Sequence, residues 1–147
     1  MGILTDLVIA DVADAEAVLD APTHTPKWKA IEAKGVETIK LSTLAFILEG
    51  KPLDIEPVVE FSKGFTQLAS AGDEGPWVFL VPATLTVNLA KVSDANMPKV
   101  VDAWHLTEEL QLDRWSKSDV SVLLKEMRGL AADSVKAGKP ILLWMSL

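Results

Sequence analysis

A chain of 147 residues, 49% hydrophobic and 24% charged, has the size and composition of one globular domain. Such a chain buries roughly 70% of its unfolded surface, so it needs no staple to fold, and the absence of cysteine excludes disulfides, thiolate zinc sites and a cysteine nucleophile together. The net charge of −7, with no basic stripe to offset it, argues against binding nucleic acid.

The N-terminus shows no basic n-region and no small-residue cleavage site, so no signal peptide is read and a cytoplasmic setting is expected. Met1-Gly2 resembles a myristoylation start, but the motif asks for Ser or Thr where Asp6 stands. The longest apolar stretches, Leu44 to Leu48 and Ile141 to Met145, are far too short to cross a membrane. Residues 1 to 26 carry Asp6, Asp11, Asp14, Glu16 and Asp20 and no Lys or Arg.

Residues Ile3 to Ile9 are apolar and β-branched enough for a strand. Asp11 is placed as an N-cap with Asp14 at the capping-box position, and Val12, Ala15, Val18 and Leu19 give the following short helix an apolar stripe. The acids crowd the first turn of that helix, where its dipole favours them. Pro22 and Pro26 mark a loop, and the alternation from Trp28 to Ala33 suits a short strand. A helix is expected from about Glu37 to Glu49, apolar over most of its circumference and therefore buried on several sides, with Gly50 and Pro52 ending it.

Residues 53 to 64 are ambiguous, with a helical turn open over Asp54 to Glu60. The alternation of Phe65, Gln67 and Ala69, the turn at residues 71 to 75, and the alternation of Trp77, Phe79 and Val81 predict a hairpin. Pro82 opens a helix to about Lys91, and Ser93-Asp94 caps another that carries Met97, Val100, Val101 and Trp104 to about Glu109. Ser116, with Asp119 three residues on, opens the longest helix, which Gly138 and Pro140 end. The run Ile141 to Met145 reads as a strand buried on both faces. Strict β-α-β alternation is missing. The expected fold is therefore a single α+β domain: a small mixed or antiparallel sheet holding the N- and C-terminal strands, with four to five helices packed against it.

Three short segments carry a family likeness: Leu48-Glu49-Gly50 closing a buried helix, Gly75-Pro76-Trp77-Val78 opening a strand, and the Gly-x-Pro-apolar strand from Gly138 to Met145. In the order of these parts, over about two-thirds of its length, the chain resembles a YfbM-like family of uncharacterised bacterial proteins. The resemblance implies a compact α+β fold and brings no activity with it.

The segment from Trp104 to Trp115 is the most informative for function. On a continuous helix His105 and Glu109 share one face, and Trp104 and Glu108 the next. Histidine beside carboxylate suits a general base or part of a metal site, but a metal asks for three or four ligands and His24 is the only other imidazole. No metal and no cofactor is therefore expected. On such a helix Glu108 and Glu109 oppose the dipole at its C-terminus unless Arg114 holds them. Trp28, Trp104 and Trp115 are candidates to line a cleft beside Glu108, while Trp77 and Trp144 are expected on core strands.

The candidate binding residues are Trp104, His105, Glu108, Glu109, Asp113, Arg114 and Trp115, with no catalytic residue assigned. The leading expectation is a non-enzymatic interaction protein that binds a basic protein partner through an acidic, Trp-bearing surface, of which a toxin-neutralising immunity protein is one form. The same acidity also serves solubility. The rival is a small-molecule binder or hydrolase with a pocket of Trp104, His105, Glu108 and Trp115. Homo-oligomerisation is a third route. No membrane partner is expected.

Overall fold

A computed structural model describes residues 3–147, so the myristoylation reading of Met1-Gly2 lies outside the described residues. The fold is α+β and centres on one five-stranded antiparallel sheet in the order β2-β1-β5-β4-β3. Its strands are β1 (Leu4–Ile9), β2 (Lys29–Glu32), β3 (Thr66–Ser70), β4 (Trp77–Leu80) and β5 (Ile141–Ser146). The two chain-terminal strands lie side by side, with Leu7 opposite Leu143 and Ile9 opposite Ile141.

Period-two alternation divides these strands between two cores. Leu7, Ile9, Ile141 and Leu143 face the larger core, built with α2 (Thr38–Leu48), α4 (Ala83–Ala90), α5 (Met97–His105) and α7 (Lys117–Ala137). Val8, Val78, Leu142 and Ala69 face the other way and are covered by Ala15, Val18 and Leu19 of α1 (Ala15–Asp20). This is why β5 reads as an unbroken apolar run: it is central and both its faces are covered. The short α1 makes the second layer possible, because only one helix and the loop after it are needed to close that face.

Most predicted elements stand where the sequence puts them. The hairpin of β3 and β4 forms, with a bulge between Gln67 and Ala69. Ser116 Oγ accepts from the Asp119 amide at 3.0 Å, and Gly138 ends α7 at φ 67°, a left-handed position suited to glycine. The expected N-cap at Asp11 is corrected. Its side chain makes no capping bond, because the chain first forms a single 3-10 turn at Val12–Asp14 and the α-helix begins only at Ala15. The Asp11 carboxylate instead lies 3.7 Å from Lys139 Nζ.

Seven α-helices form among the described residues, against the four to five expected. One addition is α3 (Ile55–Lys63), a full helix where only a turn was open. The other is α6 (Glu108–Leu112), which exists because the helix carrying Trp104 stops early. Trp77 and Trp144 lie on strands as expected, each half-buried.

Candidate functional site

The Trp104–Trp115 segment is a knuckle between α5 and α7, not a helical face. α5 ends at His105, Thr107 takes extended backbone angles, and α6 starts at Glu108. Thr107 is buried, and its Oγ1 donates to the Trp104 carbonyl at 2.7 Å, which satisfies a helix-end acceptor locally. The expectation of one helix to about Glu109 is therefore corrected, and with it the shared face of His105 and Glu109. Glu108 and Glu109 lie in the first turn of α6, where the helix dipole favours them. They are not in conflict with their local structure. No ion pair joins them to Arg114 among the described residues.

The knuckle is anchored from beneath. Trp104 is 1% exposed, and its Nε1 donates to the Lys40 carbonyl at 3.1 Å and approaches Thr43 Oγ1 at 3.3 Å. Trp104 is thus a core residue hydrogen-bonded to α2 and lines no open cleft. Leu110 is wholly buried and pins α6 to the same core. Lys40, almost fully buried, donates through Nζ to the Gly35 carbonyl at 2.9 Å and forms an ion pair with the Asp113 carboxylate. That pair fastens the end of α6 to the start of α2.

His105 closes the knuckle on its other side. Its Nε2 lies 2.9 Å from the Trp115 carbonyl, which can only accept, so this nitrogen carries the proton. Gln111 Nε2 cannot then donate to it across 3.4 Å, and donates instead to the His105 carbonyl at 2.7 Å. His105 ties α5 to the start of α7 and has spent the nitrogen nearest the knuckle on backbone. Trp115 is half-buried against the larger core and lines a cleft of about 550 Å³ with Lys34, Glu37, Lys40 and Asp113. Trp104, His105 and Glu108 are not among the walls of that cleft, and Trp28 lies elsewhere, beside His24.

What remains on the outside of the knuckle is mixed. Glu108, Gln111 and Arg114 are exposed and Glu109 is half-buried. Leu106 and Leu112 are each 73% exposed. Arg114 adopts φ 59°, and the only other non-glycine at positive φ among the described residues is Lys34, at φ 53°, which lines the cleft with Asp113 and Trp115. Both positions carry backbone strain that L-residues usually avoid.

The second imidazole, His24, stands in the loop that Pro22 and Pro26 mark, as expected. It is a core element of the smaller layer. His24 is buried, with Nδ1 2.7 Å from Asp6 Oδ2 and Nε2 2.9 Å from the Val18 carbonyl. Its ring stands edge-on to Trp144 at 5.0 Å. With both nitrogens engaged it stitches the 21–27 loop to β1 and α1, and offers no free base. The sequence signal was an aspartate at the middle of an apolar strand, a half-buried charge for which a partner is favourable. Among the described residues no three His, Asp or Glu side chains converge as metal ligands. Comparison with protein-family models, curated proteins and solved structures gave no match.

Proposed function

We propose that the chain is a non-enzymatic interaction protein that docks a basic protein partner on the outside of the 106–115 knuckle. The observation that carries this reading is the pairing of Leu106 and Leu112, both 73% exposed, with the acidic first turn of α6. Apolar side chains set beside charge are the ingredients of a docking patch. The rigid base supports the reading as well. Trp104, Leu110 and the Lys40–Asp113 pair hold the knuckle in one shape, so little conformational freedom is lost when a partner arrives. Overall acidity speeds the approach of a basic surface.

A toxin-neutralising immunity protein of a bacterial cytoplasm is one concrete form. The rival pocket of Trp104, His105, Glu108 and Trp115 draws no support from the geometry, since one member is core and another is bonded to backbone. The test is affinity capture on the purified chain at low salt. A specific partner is expected to be retained, to elute as salt rises, and to be lost from both Glu108→Lys/Glu109→Lys and Leu106→Ser/Leu112→Ser variants. Retention that neither pair of substitutions changes refutes the proposed surface.

A further inference from the structure

A second cleft, remote in character from the acidic knuckle, lies where α2, α4 and α5 meet. Its volume is about 340 Å³. The polar part of its lining is Asn88 and Lys91 from the end of α4 with Asn96 and Lys99 from the start of α5. The rest is an apolar wall of Ile47, Leu48, Val92 and Val100. No carboxylate lines it. In a chain with 21 acidic residues and only 14 Lys and Arg, that segregation is informative.

The four polar side chains are also unspent. Among the described residues none of them makes a side-chain hydrogen bond or ion pair within the chain. Lys is a donor only, and each carboxamide brings two N–H groups. The carboxylates nearest in sequence are paired elsewhere; Asp102, three residues from Lys99, lies 2.5 Å from Lys117 Nζ. Asp94 Oδ1 pairs with Arg128 at 2.9 Å, and Glu49 Oε2 pairs with Lys51 Nζ at 2.7 Å. Arg128 also donates to the Val92 carbonyl at 3.1 Å.

Two opposing effects have to be weighed. α2 and α4 end near this cleft, and each helix C-terminus carries about half a negative charge. Together they offset about one of the two ammonium charges, and α5 returns about half a charge from its N-terminus, so the cleft stays positive. The acidic remainder of the molecule acts from farther away, and beyond a Debye length of about 8 Å its field is largely screened. A small anion therefore sees the lysines, whereas a long polyanion also sees the acidic surface.

We propose that this cleft binds a small organic phosphate monoester, its phosphate held by Lys91, Lys99 and the two carboxamides and its organic body laid on the Val92–Val100 wall. A dianion with three acceptor oxygens can take donors from both helices that line the cleft, which a single carboxylate cannot do as fully. The apolar wall gives the ester group a surface that inorganic phosphate leaves bare. The site is independent of the proposed partner surface.

The experiment follows amide shifts of the full chain by NMR at constant ionic strength, with phenyl phosphate, inorganic phosphate and phenol as probes. Phenyl phosphate is expected to give saturable shifts centred on residues 88–100, with a dissociation constant on the order of 1 mM. Inorganic phosphate is expected to bind the same residues more weakly, and phenol not to bind. The Lys91→Ala/Lys99→Ala variant removes two exposed side chains without internal partners, so its urea midpoint should stay near that of the parent. Its affinity for phenyl phosphate should fall roughly tenfold. Lys136→Ala, an exposed lysine elsewhere, should change nothing. The proposal is overturned if phenyl phosphate gives no saturable shifts, if phenol binds as well, or if the double variant keeps the parent's affinity. Inorganic phosphate binding as tightly as phenyl phosphate would remove the organic ester from the proposal.

Discussion

Removing Asp113 should destabilise the protein more than removing Lys40, although Lys40 is the more buried of the two. The Lys40 side chain is 9% exposed and that of Asp113 is 52% exposed. Asp113→Ala leaves a buried ammonium with only the Gly35 carbonyl as partner. Breaking a fully buried pair in this way costs about 3–5 kcal/mol, and water reaching the vacated side lowers the expected cost here to about 1–2 kcal/mol. Lys40→Met keeps the apolar stem, removes the buried charge, and frees a carboxylate that solvent already reaches, so it should cost under about 1 kcal/mol. The double variant should match Lys40→Met, because the cost of Asp113→Ala exists only while the ammonium is there. Urea denaturation with an unchanged m-value measures all three, and hydrogen exchange at residues 108–112 reports the loosening of α6. If Asp113→Ala proves neutral, or Lys40→Met costs more than Asp113→Ala, the anchoring role of this pair is wrong.

Relief of strain at Arg114 should work in the other direction. Arg114→Gly places at φ 59° a residue that tolerates it, and the urea midpoint should rise by the equivalent of about 0.5–1 kcal/mol. Gly138→Ala should lower stability by about 1 kcal/mol through backbone alone, since an added Cβ there meets no atom within 4 Å. Trp104→Ala, emptying a site that is 1% exposed, should cost about 3–5 kcal/mol and lower the thermal midpoint by roughly 10–20 °C, whereas Trp115→Ala, half-buried, should cost clearly less.

The fold was largely legible because its strongest signals are periodic. The apolar, β-branched make-up of β1 and the unbroken run in β5 follow directly from a sheet covered on both faces. The Ser116 cap, Gly138 and the 71–75 turn are local chemistry that acts alike in any context. Asp11 misled for the opposite reason. A cap box requires the α-helix to start at the next residue, and an intervening 3-10 turn moves the start by three positions without changing the composition. The ambiguous 53–64 stretch became α3 because tertiary packing supplies what propensity does not: Phe61 stands edge-on to Phe46 of α2 at 5.7 Å and Val58 is buried.

The site was less legible, and the cause is one residue. Nothing in the helical period between Trp104 and Leu112 marks a break. Thr107 makes it by burying its hydroxyl against the Trp104 carbonyl, a tertiary preference that a sequence period does not carry. That break reverses the meaning of Glu108 and Glu109. At the end of a helix they would be costly and would call for a partner. At the start of α6 they are stabilising on their own, by about 0.3–1 kcal/mol each, and explain themselves. Charge reversal at these two positions thus disturbs α6 as well as any docking surface, and a loss of binding from it alone is ambiguous. Leu106 and Leu112 have no such double role: exposed at 73%, they contribute little to the fold and gain by being covered. Binding that survives Leu106→Ser/Leu112→Ser but not the charge reversal would assign the effect to α6 itself, and binding lost in both would assign it to the surface.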